Sequence, residues 1–222
     1  MAEPLIVAKD IKRAFPVAGG LFWATKGISL EIPRNKLTVL RGRSGSGKTT
    51  LMNMLGALDT PTSGTIYFEG KDMTSCSDRE RDELRRTQMG FVFQSVALVS
   101  MMNAAENVEF GLRIAGYPAS KRMDRVMECL RLVGLAGRAN HMPQEMSGGE
   151  QQRVAIARAI AHGPKIIFAD EPTAELDSNT GLQVIKIFRE MTDSTTLVIC
   201  THDEAMASVA DCVFELEDGE LK

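Results

Sequence analysis

Several features are missing from this sequence, and each absence narrows the reading. No window approaches the roughly 20 consecutive apolar residues that a membrane-spanning helix needs, so no membrane span is expected. The opening stretch "MAEPLIVAKDIKRAF" carries charges early and has no long apolar core, so it does not read as a secretory leader. Four cysteines, Cys76, Cys129, Cys200 and Cys212, lie far apart without a Cys-x-x-Cys pair. That spacing argues against a disulfide framework or a zinc site and for reduced thiols. The formal net charge of -3 leaves no general basic field, so no nucleic-acid partner is expected. There is no tandem repeat, low-complexity tail or linker. The chain is therefore expected in the cytoplasm, or attached to a membrane through a partner.

What is present fits one large domain or two small lobes: 222 residues, 44% hydrophobic and 25% charged. "PLIVAKDI" and "ATKGISLEI" read as strands joined by a loop holding Gly19 and Gly20. "KLTVL" reads as a short buried strand, followed by a glycine-rich turn and the helix "GKTTLMNMLGAL". "GTIYFEG" alternates as a strand, "DRERDELRRTQ" is a charged, solvated helix, and "GFVF" is a short buried strand ending at Gln94. From Ser95 to about Arg153 helical patterns such as "NAAENVEFGLRIAG" and "KRMDRVMECLRLVGL" replace strands. Strands resume with "KIIFAD", "TTLVICTHD" and "CVFELEDGEL", with the helix "NTGLQVIKIFREM" among them. A β-rich and α/β body is thus interrupted by a helical insert. Most of the 13 methionines occupy apolar positions and read as core filling, but Met101 and Met102 share a predicted loop where thioethers could meet a partner.

"GRSGSGKT", Gly42 to Thr49, matches the phosphate-loop pattern G-x-x-x-x-G-K-[ST] and stands between a strand and an apolar helix. Its glycines let backbone N–H groups converge on phosphate oxygens. Lys48 would reach the outer phosphates, and Thr49 offers a hydroxyl to Mg²⁺. "KIIFADE" is an apolar strand ending in two carboxylates. Neighbouring strand residues face opposite ways, so Asp170 and Glu171 cannot share one task unless the chain turns there. The natural division gives Asp170 to the Mg²⁺ shell and Glu171 to the attacking water. His202, in "THD", ends another apolar strand; a lone histidine is often structural, but three strand ends near Gly42, Asp170 and His202 converge on one rim. Gln94 ends "FVFQ" where the body meets the insert, and its amide can serve both a metal-bound water and a phosphate. "MSGGEQQRVAIARAI" places two glycines behind a serine at a helix entrance, where bare N–H groups can hold an anion.

The set "GRSGSGKT", "FVFQ", "MSGGEQQR", "KIIFADEPT", "AELD" and "THD" resembles the ABC-type ATPase superfamily, in family order and over essentially the whole chain. "LMNMLGALDTPTSGTIYFEG", "RRTQMGFVFQ" and "AAENVEFGLRIAG" are similar to its exporter-associated branch of macrolide-efflux, lipoprotein-release and bacitracin-resistance ATPases. The resemblance implies an α/β fold: a RecA-like phosphate-loop NTPase core, an N-terminal antiparallel β subdomain and an inserted α-helical subdomain. It implies a single ATPase domain over 1–222, with a RecA-like and β lobe at 1–94 plus 154–222 and a helical signature lobe at 95–153.

The same resemblance implies roles. Two copies would pack head to tail, each ATP lying between one phosphate loop and the other copy's signature. Gly42, Arg43, Ser44, Gly45, Ser46, Gly47, Lys48, Thr49 and Thr50 would form the phosphate loop. Ser147, Gly148, Gly149 and Glu150 would form the signature that meets the γ-phosphate across the interface. Glu171 would be the general base, His202 would contact the γ-phosphate, and Thr49, Gln94 and Asp170 would serve Mg²⁺. Gln94 would also couple the site to the helical insert, and Asp177 would lie at the dimer seam. Phe15 aligns with the aromatic that stacks on adenine, with Trp23 as a rival. A membrane permease with an extracytoplasmic domain is the implied partner, placing the chain on the cytoplasmic face of the membrane. A cell-division ATPase that regulates a wall hydrolase, and a soluble ABC-type ATPase without a transporter, are the alternatives. The chain departs from the family pattern at Met146, Glu150, the charged Glu175 and the segment "SVALVSMMNAAENV".

Overall fold

A computed structural model describes residues 3–222. The chain opens with a long hairpin, β1 (Ile6–Val17) against β2 (Gly20–Ile32). Both strands run further than their hydrophobic cores suggest. Phe15 pairs with Phe22 and Ala14 with Trp23, so the expected loop shrinks to Ala18 and Gly19, and Gly20 enters the strand. After β3 (Leu37–Arg41) and α1 (Lys48–Leu55), β4 (Ser63–Phe68) returns beside β1, and β5 (Lys71–Asp72) completes an antiparallel sheet in the order β2-β1-β4-β5.

Helix α2 (Asp78–Gln88) has no fully buried residue, only Leu84 packing partly on the core, and leads into β6 (Met89–Val92). Then come α3 (Ala104–Ile114), α4 (Arg122–Leu132) and α5 (Gly148–Ile160). Beyond them lie β7 (Ile166–Asp170), α6 (Ser178–Met191), β8 (Thr196–Thr201) and α7 (Glu204–Ser208). The chain ends on β9 (Cys212–Glu217) and β10 (Glu220–Leu221). "CVFELEDGEL" is thus two strands rather than one. Asp218 and Gly219 both take positive φ (49° and 83°), the conformation that an Asp-Gly hairpin turn requires. The second sheet has the order β10-β9-β3-β8-β7-β6, and its β9-β3-β8-β7-β6 strands are parallel.

Strand alternation sorts the interior into two cores. Leu37, Val39, Ile167, Ala169, Leu197 and Ile199 join α3, α4, α5 and α6 on one face of the parallel sheet. Leu40, Ile166, Phe168, Val198 and Cys200 face α1 and the antiparallel sheet on the other. This period of two decides where the strand-end residues point. Asp170 continues the Ile166–Phe168 face and so meets α1. The insert is not a separate ball: α5 begins in the helical layer, and Val154, Ile156 and Ala157 sink into the core shared with β3, β7 and β8.

Candidate active site

The site grows from the turn between β3 and α1. Gly47 is the N-cap of α1 at φ 100°, and no side chain caps the helix. A β-carbon on Gly47 would collide with the backbone carbonyl of Ala24. Glycine therefore serves both the left-handed backbone and the close approach of β2. Lys48 is buried, and its ammonium donates to the carbonyls of Gly42 (2.7 Å) and Arg43 (3.0 Å), folding back over its own loop. Two cavities flank this loop. One, of about 510 Å³, lies among Gly42, Arg43, Ser44, Gly45, Ser46 and the β9–β10 hairpin. The other, of about 430 Å³, gathers Gly47, Lys48, Thr49, Thr50, Gln94, Asp170 and Glu171. Ser44, Gly45 and His202 line both.

The strand ends supply the chemistry. Thr49 Oγ1 donates to Asp170 Oδ2 at 3.0 Å. Burial raises the pKa of Asp170; the Thr49 hydrogen bond and Lys48 oppose that shift, and the charge of Glu171 adds to it. The chain does turn after Asp170. Glu171 takes φ 44°, a left-handed conformation that costs a non-glycine residue about 1–3 kcal/mol and concentrates at functional sites. The turn swings the Glu171 carboxylate toward β8. Thr201 Oγ1 donates to Glu171 Oε2 at 3.1 Å, and Thr201 itself accepts from the Asp203 amide at 3.0 Å. His202 Nδ1 lies 3.0 Å from Glu171 Oε1. An ionised carboxylate only accepts, so Nδ1 carries the proton. His202 can then donate from Nε2 only as an imidazolium.

Hard oxygen donors at Thr49 and Asp170, beside the Gln94 amide, fit Mg²⁺, which is held by one or two carboxylates together with substrate phosphates. Among the described residues no group of three or more His, Cys, Asp or Glu side chains converges as a metal cage.

The glycine-led signature stands apart from both large cavities. Ser147 caps α5: its hydroxyl accepts from the Glu150 amide (3.2 Å), and Glu150 Oε2 accepts from the Ser147 amide (2.9 Å). Arg138 Nε lies 3.2 Å from the other Glu150 oxygen. The two glycines differ. Gly148 has open space where a β-carbon would stand, whereas a β-carbon on Gly149 would strike the Thr180 side chain. Thr180 is in turn fixed to Asp177, which caps α6 by accepting from the Asn179 and Thr180 amides (3.1 Å each) and the Thr180 hydroxyl (2.6 Å). Gly148 shares a small cavity with Gln94 and Glu171.

Phe15 lines neither large cavity. The Arg13 guanidinium covers its ring at 4.7 Å, held there by Asp59 in a two-point pair at 2.8 Å. The aromatic in the 430 Å³ cavity is Phe22, on the same face of β2 as Ala24. Strand alternation from Ala24 would have found it and would have excluded Trp23. Two further residues escaped the sequence reading. Asn107 is wholly buried and binds the Val99, Met102 and Asn103 carbonyls and the Val99 amide, pinning the segment after Gln94 to α3. Arg158 on α5 donates to the carbonyls of Ala97 (2.7 Å) and Val96 (3.3 Å).

A family model described as ABC transporter matches residues 25–174. The macrolide export ATP-binding/permease protein MacB of Agrobacterium fabrum is 43% identical over 220 residues, covering 99% of this chain and 34% of that protein. The chain thus spans about a third of the length of that relative. An uncharacterized ABC transporter ATP-binding protein of Thermotoga maritima is 43% identical over 200 residues, 90% of this chain and 86% of its own. Among solved structures, the dimeric bacterial ABC transporter cassette MJ0796 superposes with a TM-score of 0.91 at 37% identity, covering 98% of this chain and 96% of that one. A dimeric post-hydrolysis state of MJ0796 bound to ADP and Pi matches equally well.

Proposed function

The chain belongs to the ABC transporter family, and on that premise we propose that it binds and hydrolyses ATP between two copies of itself to drive a membrane permease. The observation that carries this is the shared rim: Lys48 and Thr49 from the β3–α1 turn, Asp170 and Glu171 from β7, and His202 after β8 face one cavity. Lys48 leaves the Gly42 and Arg43 carbonyls for the outer phosphates. Thr49, Asp170 and Gln94 would hold Mg²⁺, which would supply positive charge against the phosphates. Glu171 accepts a proton from the attacking water. Thr201 and His202 orient that carboxylate, and His202 contacts the γ-phosphate.

Ser147, Gly148 and Gly149 meet the γ-phosphate of the nucleotide held by the second copy. The dimeric solved relative and its ADP-and-Pi state support this arrangement. ATP therefore favours a closed dimer and hydrolysis releases it. The Gln94 segment, tied to α3 by Asn107 and to α5 by Arg158, passes the motion to the helical layer. Met101, 86% exposed at that layer, and Ile114, 51% exposed, suit apolar contact with a permease. No helix among the described residues is long and apolar enough to cross a membrane; in this reading a permease supplies the span and the chain works at the cytoplasmic face. The relatives named for macrolide export favour this over a wall-hydrolase regulator or a soluble non-transport ATPase. The implied permease carries an extracytoplasmic domain, and its recovery with this chain from membranes tests that assignment.

The decisive test of the chemistry is Glu171→Gln. It should reduce steady ATP turnover by at least about 100-fold, given the weight of a lost general base, while ATP still gathers the variant into dimers on a sizing column. Turnover near the wild-type rate would reject Glu171 as the base.

A further inference from the structure

Behind the catalytic rim lies a small cavity of about 50 Å³, walled by Gln94, Gly148, Gln152, Glu171 and Glu175. One of its groups is out of place by ordinary rules. Gln152, on α5, is only 3% exposed, yet its Nε2 has no hydrogen-bond partner among the described residues. Buried amide donors are nearly always partnered, and an exception carries a cost. The helix holds Gln152 five residues beyond Ser147, with its neighbours Val154, Ala155 and Ile156 fully buried, so it cannot turn out to solvent.

Three side-chain acceptors face the same space. Both Glu171 oxygens are already engaged by Thr201 and His202, and Gln94 belongs to the metal and water site. Glu175 is exposed and makes no ion pair or hydrogen bond among the described residues. It lies on the short segment between Glu171 and the α6 cap Asp177. A carboxylate gives an amide donor a charge-assisted bond, and the cavity is small enough for a modest swing of Glu175 to close it.

We propose that Gln152 is a positioning residue: in the closed, nucleotide-bound dimer its Nε2 donates to Glu175, locking the signature helix to the segment that carries Glu171 and Asp177. The open donor in the single chain and the free carboxylate beside it are two halves of one contact that forms on closure. This gives the acidic residue at position 175 a task. It also links the helix that meets one nucleotide with the base that attacks the other. The proposal rests on the reading that two copies close around ATP.

The test uses the full chain with Gln152→Met, Glu175→Leu, Glu175→Gln and the double variant Gln152→Met/Glu175→Leu. Gln152→Met should lower kcat about tenfold with KM for ATP within about twofold, the size expected for one charge-assisted bond made at closure. Its unfolding temperature as an isolated chain should equal or exceed the wild-type value, because an orphaned donor has been replaced by an apolar group of similar volume. Glu175→Leu should match the kcat loss, and the double variant should be no worse than either single change. Glu175→Gln keeps a carbonyl acceptor and should retain most activity. Full kcat in Gln152→Met overturns the proposal. So do losses that multiply in the double variant, or a kcat loss matched by a lower unfolding temperature. Loss of dimer formation in Glu175→Leu alone would place that carboxylate against the second copy instead. If the wild-type chain has no ATPase activity, the functional reading itself has failed; an active wild type with an active Gln152→Met fails only the latch.

Discussion

At α1 the helix begins on Gly47, left-handed and without a side-chain cap. At α5 it begins on Ser147, whose hydroxyl and partner Glu150 close a capping box. Both entrances carry glycine, and both read in sequence as anion cradles. Their local chemistry separates them. The first amides of α1 receive no help from its own side chains, so the phosphate loop is completed by a ligand and steadied by Lys48 on its own carbonyls. In the first turn of α5 the capping box partners the Ser147 and Glu150 amides from within and leaves those of Gly148 and Gly149 for whatever lies in front of them. The Ser147 hydroxyl, accepting from an amide, still keeps its proton to donate. In the proposed function the first entrance holds a nucleotide and the second meets what a second copy presents.

That contrast can be broken most severely at Ser147. Ser147→Arg should leave nucleotide binding to the single chain within about twofold, yet reduce turnover about 100-fold or more by blocking a donor site for the γ-phosphate. Fluorescent-nucleotide titration and an ATPase assay read the two effects separately. Intact turnover would remove the shared-site reading; lost nucleotide binding would erase the distinction between the entrances.

The two signature glycines sharpen the comparison through stability. Gly149→Ala forces a methyl into Thr180 and should cost about 1–3 kcal/mol. Gly148→Ala meets open space and should gain about 0.5–1 kcal/mol from helix propensity. Denaturant unfolding of the two variants should therefore shift in opposite directions. Equal shifts would mean that Gly149 is not packed against α6 as described.

The smallest effect is on pH. The Ser147 amide, with the Ser147 hydroxyl, Arg138 and Arg153, lowers the pKa of Glu150 against the opposing pull of burial. The folded value lies below the ordinary 4.5, so the stabilisation is complete above about pH 4.5 and is lost as pH falls through the folded value. Glu150→Gln should flatten the stability profile between about pH 5 and 3. Helix α1 has no acidic first-turn group and so has no equivalent loss. An unchanged profile in Glu150→Gln would show that the capping box contributes no pH dependence.

Much of this was legible in the chain itself. The phosphate loop, the carboxylate pair and the histidine stand at strand ends, and strand alternation with glycine-rich punctuation is a local signal. The solvated helix "DRERDELRRTQ" coincides with α2 to the residue. What escaped depended on distant partners. The hairpin ran longer than its apolar pattern because Phe15 and Phe22 pair across it. The same pairing leaves Phe15 beneath Arg13 and puts Phe22 in the cavity; alternation along β2 separates Phe22 from Trp23, but only the packed fold brings that face to the phosphate loop. Asn107 and Arg158 read as ordinary helix residues until the segment after Gln94 folds onto them.

The sequence by itself determined the chemistry: which groups can hold phosphate, a metal and a proton, because those capacities belong to residue types at fixed spacings. The tertiary structure decided which groups cooperate. Asp170 reaches Thr49 because alternation along β7 aims it at α1, and Glu171 reaches His202 because the chain turns left-handed between them. Gly149 is glycine because Thr180, 31 residues later in the chain, occupies the space a side chain would need. Contacts of that kind arise only when separate elements are packed together, since close packing permits one set of neighbours and excludes the rest.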